Sequence, residues 1–383
     1  MEYNFEAIRA YSSEEIPAAM VRLCEAKPFM KVLSTLFPLM PKEQLRQTLL
    51  SFKTSYDLQS QMVVPFLEYL EATLTTGVEL RGLENIDTTK THLYISNHRD
   101  IILDSALLNC KLMRNNLNTT EIAIGDNLLA LPWIEDLVRV NKSFIVQRGL
   151  TPKEMLESSN RLSSYIRYTL TENNQSVWIA QREGRAKDSD DRTQESLLKM
   201  FAMSGNGSLA ESLITLNLCP LSISYEYDPC DFLKAKEFQQ KRDNPDYKKS
   251  PQDDLLNMQT GVMGYKGKVV YVIVGNIQDE ISEIAEKTKV KNEQAELVAK
   301  LIDKKIHSHF TIFASNKIAY DLLNGEQCFA SEYSSDEKNK FEEYLDKQIR
   351  KIDLENKDRE FLRSKILEMY ANPLKNYLVA TKS

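Results

Sequence analysis

Cysteine is scarce and scattered in this chain. Cys24, Cys110, Cys219, Cys230 and Cys328 form no CxxC pair and make an odd number. That pattern excludes a disulfide scaffold and fits buried thiols of a reducing compartment. Histidine is rarer, with four residues, and no Cys/His cluster has zinc-ligand spacing. No metal is expected; His307 and His309 read as surface residues near a charged helix end. Glycine and proline, 12 of each in 383 residues, are too few for a fibrous or low-complexity chain. No uncharged apolar run reaches the ~18 residues of a spanning helix. One of the longest, Ser212–Tyr225, is shorter and contains Pro220. The acidic start, Glu2 to Glu6, is unlike a signal peptide. The chain is therefore expected not to cross a membrane, although it can lie on one. Basic charge is also lacking: a net charge of −6 argues against a bulk nucleic-acid binder.

What is present is a globular composition, 42% hydrophobic and 27% charged. Its texture divides the chain into three. Residues 1–76 read as an N-terminal helical region, with helices expected near Lys42–Ser55 and Leu58–Thr75. Phe29, Val32, Leu33, Leu36 and Phe37 recur there at helical spacing, as core packing or as a face on lipid. Residues 77–281 alternate short apolar strands with helices. The strands are expected at Val78–Leu80, Leu93–Ile95, Glu121–Ile124, Ser143–Val146, Val177–Ala180, Pro220–Tyr225 and Val269–Val274. The helices between them are expected at Ile101–Met113, Leu128–Val140, Pro152–Glu172 and Gln194–Met203. This alternation predicts an α/β fold, a mostly parallel sheet wrapped by helices. Residues 230–266 carry Lys234, Lys236, Lys241, Arg242, Lys248 and Lys249 and read as a charged arm or insertion before the last strand. Residues 282–383 form a C-terminal helical segment.

In a parallel sheet, the carboxyl ends of the strands gather the site. His98, Arg148 and Glu183 all follow strands at that end. Ser96-Asn97-His98-Arg99-Asp100 closes one strand, and Asp104 stands in the apolar helix that follows. An imidazole takes a proton near neutral pH, and a carboxylate fixes its tautomer. A carboxylate among apolar residues needs a partner, and His98 is the candidate. A second cluster runs from Gly125 through Leu128, Leu129, Leu131 and Trp133 to Arg148. A third is Glu183-Gly184-Arg185, where glycine permits a tight turn and arginine offers a fork for phosphate.

Together and in this order these blocks resemble the glycerol-phosphate acyltransferase superfamily. Asn97-His98 with a following aspartate is similar to its His/Asp motif. Gly125–Arg148, Glu183-Gly184-Arg185 and Pro220–Glu226 resemble its next three blocks, and Gly267–Ile277 its closing strand. The second and fourth blocks look closer to the glycerol-3-phosphate and dihydroxyacetone-phosphate branch. The N-terminal helices resemble those of soluble members. One departure is that five residues, not four, separate His98 from Asp104. Either Asp104 or Asp100 then partners His98. Asp104 is favoured, because Asp100 suits a helix cap. Another is Gln181-Arg182, which replaces the usual lead-in to the third block.

The resemblance implies an O-acyltransferase that moves a fatty acyl group from acyl-CoA or acyl carrier protein to glycerol-3-phosphate or 1-acylglycerol-3-phosphate. It implies His98 as general base with Asp104, and Asn97, Arg148, Glu183, Gly184 and Arg185 on the substrate. Leu128, Leu131 and Trp133 would line the acyl chain, or else pack in the core. No cofactor is expected beyond the thioester co-substrate. The expected place is cytoplasmic, at the inner face of the membrane. The basic arm at 234–249 is read as contacting lipid or acyl carrier protein. Alternatives are a non-phosphate acceptor, such as an N-acylated amino acid, and a non-catalytic lipid-binding role.

Overall fold

The computed structural model describes residues 4–129, 131–325 and 327–382. The chain opens with α1 (Ile16–Glu25), α2 (Lys27–Leu36), α3 (Lys42–Ser51) and α4 (Ser55–Leu58). A π turn at Gln59–Val63 then leads into α5 (Val64–Leu74). Pro17 and Pro28 sit in first turns, where an N–H would have no helical partner anyway. α3 stops before the expected Ser55 because Thr54 and Asp57 cap each other and open α4. Phe29 and Leu33 pack on Met20, Leu23, Leu45 and Leu49, so they belong to a core. Val32 is exposed, and so is Leu39 in the turn after α2, at 98%.

The sheet has seven strands: β1 (Gly77–Arg81), β2 (Leu93–Ser96), β3 (Glu121–Gly125), β4 (Ser143–Val146), β5 (Val177–Ala180), β6 (Leu218–Tyr225) and β7 (Lys268–Ile273). Their order is β1-β7-β6-β2-β5-β3-β4. β6, β2, β5, β3 and β4 are parallel. β7 runs antiparallel to β6, and β1 runs parallel to β7. Every expected strand segment forms one of the seven. β2 lies between β6 and β5 and is buried along its length. Leu93 and Ile95 face one core with Val177 and Ile179; Tyr94 faces the other with Trp178 and Leu221. Burial on both faces explains why these strands read as continuous apolar runs.

The crossovers are α6 (Leu103–Arg114), α7 (Pro132–Val140), α8 (Pro152–Thr171), α9 (Glu195–Phe201) and α10 (Leu209–Ile214). α10 was not among the expected helices; Ser208 and Glu211 cap it reciprocally. Residues 230–266 are a correction. They are not a free arm but two helices, α11 (Asp231–Asp243) and α12 (Pro251–Met263). Ala235 joins the core of the C-terminal helices, and Lys234 is buried against Asp228. Lys241, Arg242 and Lys249 are ion-paired with Glu237, Asp243 and Asp254. The chain continues with α13 (Gln278–Lys287), α14 (Lys291–Ser308), α15 (Ala314–Asn324), α16 (Ser335–Lys351) and α17 (Arg359–Thr381). His307, expected on the surface, is buried in α14, where burial holds its pKa down at about 4. Among the described residues no helix is long and apolar enough to cross a membrane.

Candidate active site

β2 ends at Ser96, and the next residues turn sharply into α6. Asn97 does not face a cleft. It is buried, its Nδ2 donates to the Ile223 carbonyl at 2.8 Å, and its Oδ1 accepts from the Ile223 N–H at 2.9 Å. That corrects the expectation of substrate contact: the amide ties the turn to β6. His98 follows, with Nδ1 2.8 Å from Asp104 Oδ2. The same oxygen accepts from the backbone N–H groups of Arg99 and Asp100, at 2.6 and 3.0 Å. The extra residue between His98 and Asp104 is absorbed in this turn. Asp100 Oδ1 accepts from the N–H groups of Ile102 and Leu103, so Asp100 caps α6 and Asp104 holds His98.

A carboxylate only accepts, so His98 Nδ1 carries a proton towards Asp104, and in the neutral ring Nε2 is the basic nitrogen. The Trp178 ring packs edge-on against the imidazole, with centroids 5.8 Å apart. Its indole N–H is held by Ser96 Oγ at 3.1 Å. The imidazole is therefore fixed from two sides, and its free nitrogen can take a proton.

Below this pair lies a charged network that the sequence did not reveal. Arg99 is buried, with Nη1 3.0 Å from Asp191 Oδ2 and Nη2 2.7 Å from Ser189 Oγ. Nη2 also lies 3.5 Å from Asp228 Oδ2, and Asp228 is paired with Lys234. Burial pushes Asp228 up, but Lys234 and Arg99 overcome it and hold it at about 2. Burial raises Asp191 and lowers Lys234. The loop carrying Ser189 and Asp191 is gripped from behind. The Asp188 carbonyl accepts from Asn372 and Asp190 Oδ1 from Asn376, both on α17. His307 Nε2 lies 3.0 Å from the Asp191 carbonyl, and Asp303 accepts from Thr193. A dense polar run, Asp188 to Thr193, was the one trace of this loop in the sequence.

The third cluster follows β5. Gly184 has φ +67°, a left-handed conformation that glycine adopts readily. Glu183 is exposed and pairs with Arg148 Nη1 at 3.4 Å. Arg148 follows β4 and lies across Gly125, where any Cβ would strike its guanidinium within 2.9 Å. Arg185 points elsewhere: Nη2 donates to Asn257 Oδ1 at 3.2 Å, while Nη1 is buried without a partner. Of the expected chain-lining residues, Leu128 is half-buried and Leu131 exposed. Trp133 instead packs on Phe29 at 5.7 Å, in the N-terminal core.

A cleft of about 520 Å³ opens at the opposite edge of the sheet, beside His92, Ser176 and Asn217. Its histidine is not available: His92 is buried, with Nδ1 facing Asn217 and Asn276 and Nε2 on the Asp87 carbonyl. The chemistry-bearing side chains lie at the carboxyl edge. Among the described residues no group of acidic, histidine and cysteine side chains is placed to hold a metal.

Residues 77–224 match the family model described as Acyltransferase. This span includes His98, Asp104, Arg148 and Glu183–Arg185, and it bears out the resemblance read from the motifs. In structure the chain is similar to the 1-acyl-sn-glycerophosphate (LPA) acyltransferase PlsC from Thermotoga maritima. Sequence identity to it is 12%, 78% of this chain and 97% of that chain are covered, and the TM-score is 0.39. No curated protein matches the chain in sequence.

Proposed function

We propose, from the acyltransferase domain that residues 77–224 form, that this protein moves a fatty acyl group from a thioester to a hydroxyl of glycerol-3-phosphate or 1-acylglycerol-3-phosphate. The observation that carries this reading is the His98–Asp104 pair, which orients the imidazole so that Nε2 is the nitrogen turned away from the carboxylate. Nε2 takes the proton of the acceptor hydroxyl as the oxygen attacks the thioester carbonyl. Asp104 stabilises the imidazolium that forms. The tetrahedral intermediate collapses, the carbon–sulfur bond breaks, and the imidazolium returns the proton to the leaving thiolate. The acyl group passes directly to the acceptor, with no acyl-enzyme. Arg185, whose Nη1 makes no hydrogen bond, binds the acceptor phosphate; Arg148 is paired with Glu183 instead.

The product is a membrane lipid, so the protein works at a bilayer surface. With most of the basic arm ion-paired or buried, the exposed Leu39 and Val32 at the N-terminal helices offer the apolar contact. Leu39→Glu is expected to lower co-sedimentation with anionic vesicles severalfold, and unchanged binding would discard this contact.

The deciding assay offers labelled acyl-CoA and acyl carrier protein to wild type and His98→Ala, with both phosphate acceptors and an N-acylated amino acid bearing a free hydroxyl. Transfer to a phosphate acceptor, lost in His98→Ala, is expected. Transfer that survives Arg185→Ala would redirect the reading to a phosphate-free acceptor.

A further inference from the structure

α12 lies outside the span that matches acyltransferases, yet it touches two groups of the candidate site. Asn257 is buried and accepts from Arg185 Nη2 at 3.2 Å. One turn on, Gly261 lies so close to Asp100 that a Cβ there would sit 2.1 Å from Asp100 Oδ2. Only glycine lets the helix backbone approach the cap of α6 this closely. Asn257 is itself held: its Nδ2 donates to the Asp253 carbonyl at 2.8 Å, and its carbonyl accepts from Cys230 Sγ at 3.3 Å. The far end is pinned by Lys266, whose Nζ donates to the Val262 and Gly264 carbonyls.

The helix seats Val262 on the sheet core, yet its inward face also carries Asn257 and Gly261, while Leu255, Leu256 and Met263 are 50%, 46% and 49% exposed. The polar groups that this inward face meets are Arg185 and Asp100.

We infer that α12 walls the acceptor pocket and that Asn257 is a positioning residue, turning the Arg185 fork so that Nη1 meets the acceptor phosphate. This rests on the reading that Arg185 binds that phosphate. Asn257 occupies Nη2 without adding a negative charge to those of Asp228 and Asp100, which already act on the guanidinium. A carboxylate at the same place would occupy Nη2 equally well and add a further negative charge against a phosphate.

Steady-state kinetics of the full chain with glycerol-3-phosphate and 1-acylglycerol-3-phosphate test this. Asn257→Ala is expected to raise acceptor KM about tenfold, the scale of a lost hydrogen bond to a charged group. Donor KM and kcat should stay near wild type. In an Arg185→Ala background Asn257→Ala should add nothing. The near-isosteric Asn257→Asp keeps the oxygen and the helix seat but adds a negative charge beside Arg185; its acceptor KM should rise at least as far as that of Asn257→Ala, with donor KM near wild type. A purely structural α12 would tolerate the isosteric aspartate and leave acceptor KM unchanged. Unchanged acceptor KM in Asn257→Asp, or additive losses in the double variant, would overturn the inference. If Arg185→Ala itself leaves acceptor KM unchanged, the phosphate reading fails first.

Discussion

Replacing Asp104 by asparagine changes few atoms and removes the charge that faces His98. Nδ1 then lacks a carboxylate, and the imidazolium formed in transfer goes unsupported. Turnover is expected to fall by about 10²–10⁴-fold, the range of general-base catalysis, with circular dichroism unchanged. Wild-type turnover in Asp104→Asn would remove Asp104 from the mechanism. The pair was legible because both partners sit in one turn of sequence and because a lone carboxylate in an apolar helix needs explaining. Arg99 was not legible. Its partners Ser189 and Asp191 lie in a loop far along the chain, and nothing local marks it as buried. Arg99→Met leaves Asp191 and Asp228 buried without that cation. It should cost about 3–5 kcal/mol in urea unfolding, as for a broken buried pair. Asn97 failed as a substrate contact for a related reason: its true partner is a backbone on β6, invisible to local pattern.

At the scale of elements, strands and caps were the readable part. Each strand core is a short apolar run buried on both faces, a signal that needs no knowledge of neighbours. α11 was misread because its charges outnumber its apolar residues; α12 carries only the charges of Asp253 and Asp254 and was missed because its leucines stay exposed and form no buried stripe. Lys234 looks solvated until Asp228 is seen beside it. The C-terminal helices had no readable purpose, yet α14 and α17 hold the loop whose Asp191 anchors Arg99. Replacing Asn372 and Asn376 together by alanine should cost about 1 kcal/mol per hydrogen bond. Amide exchange in residues 186–193 should quicken, and acyl transfer should fall without loss of the fold. Protection equal to wild type there would sever this link.

For the whole molecule, buried ionisable groups set how stability follows pH. Burial raises Asp231 to about 7, against hydrogen bonds from Tyr344, Tyr370 and Gln348, and burial raises Asp303 to about 6. The folded state then holds protons that the unfolded chain has released, so these groups take stability away as pH climbs from about 4 towards 7. His307 acts oppositely. Its pKa of about 4 means that the unfolded chain binds a proton first on acidification from 6.5, so its contribution is lost as pH falls. Asp231→Asn should therefore gain on wild type in chemical denaturation as pH rises through that window, and hold its advantage above it. A difference independent of pH would show that Asp231 is ionised throughout. The grip of α17 on the 188–193 loop has another consequence, one of time. A ribosome delivers His98, Asp104 and Arg185 long before it delivers Asn372 and Asn376. The nascent chain carries these candidate site residues before their brace exists, so competence for the proposed acyl transfer should appear only as α17 emerges and docks.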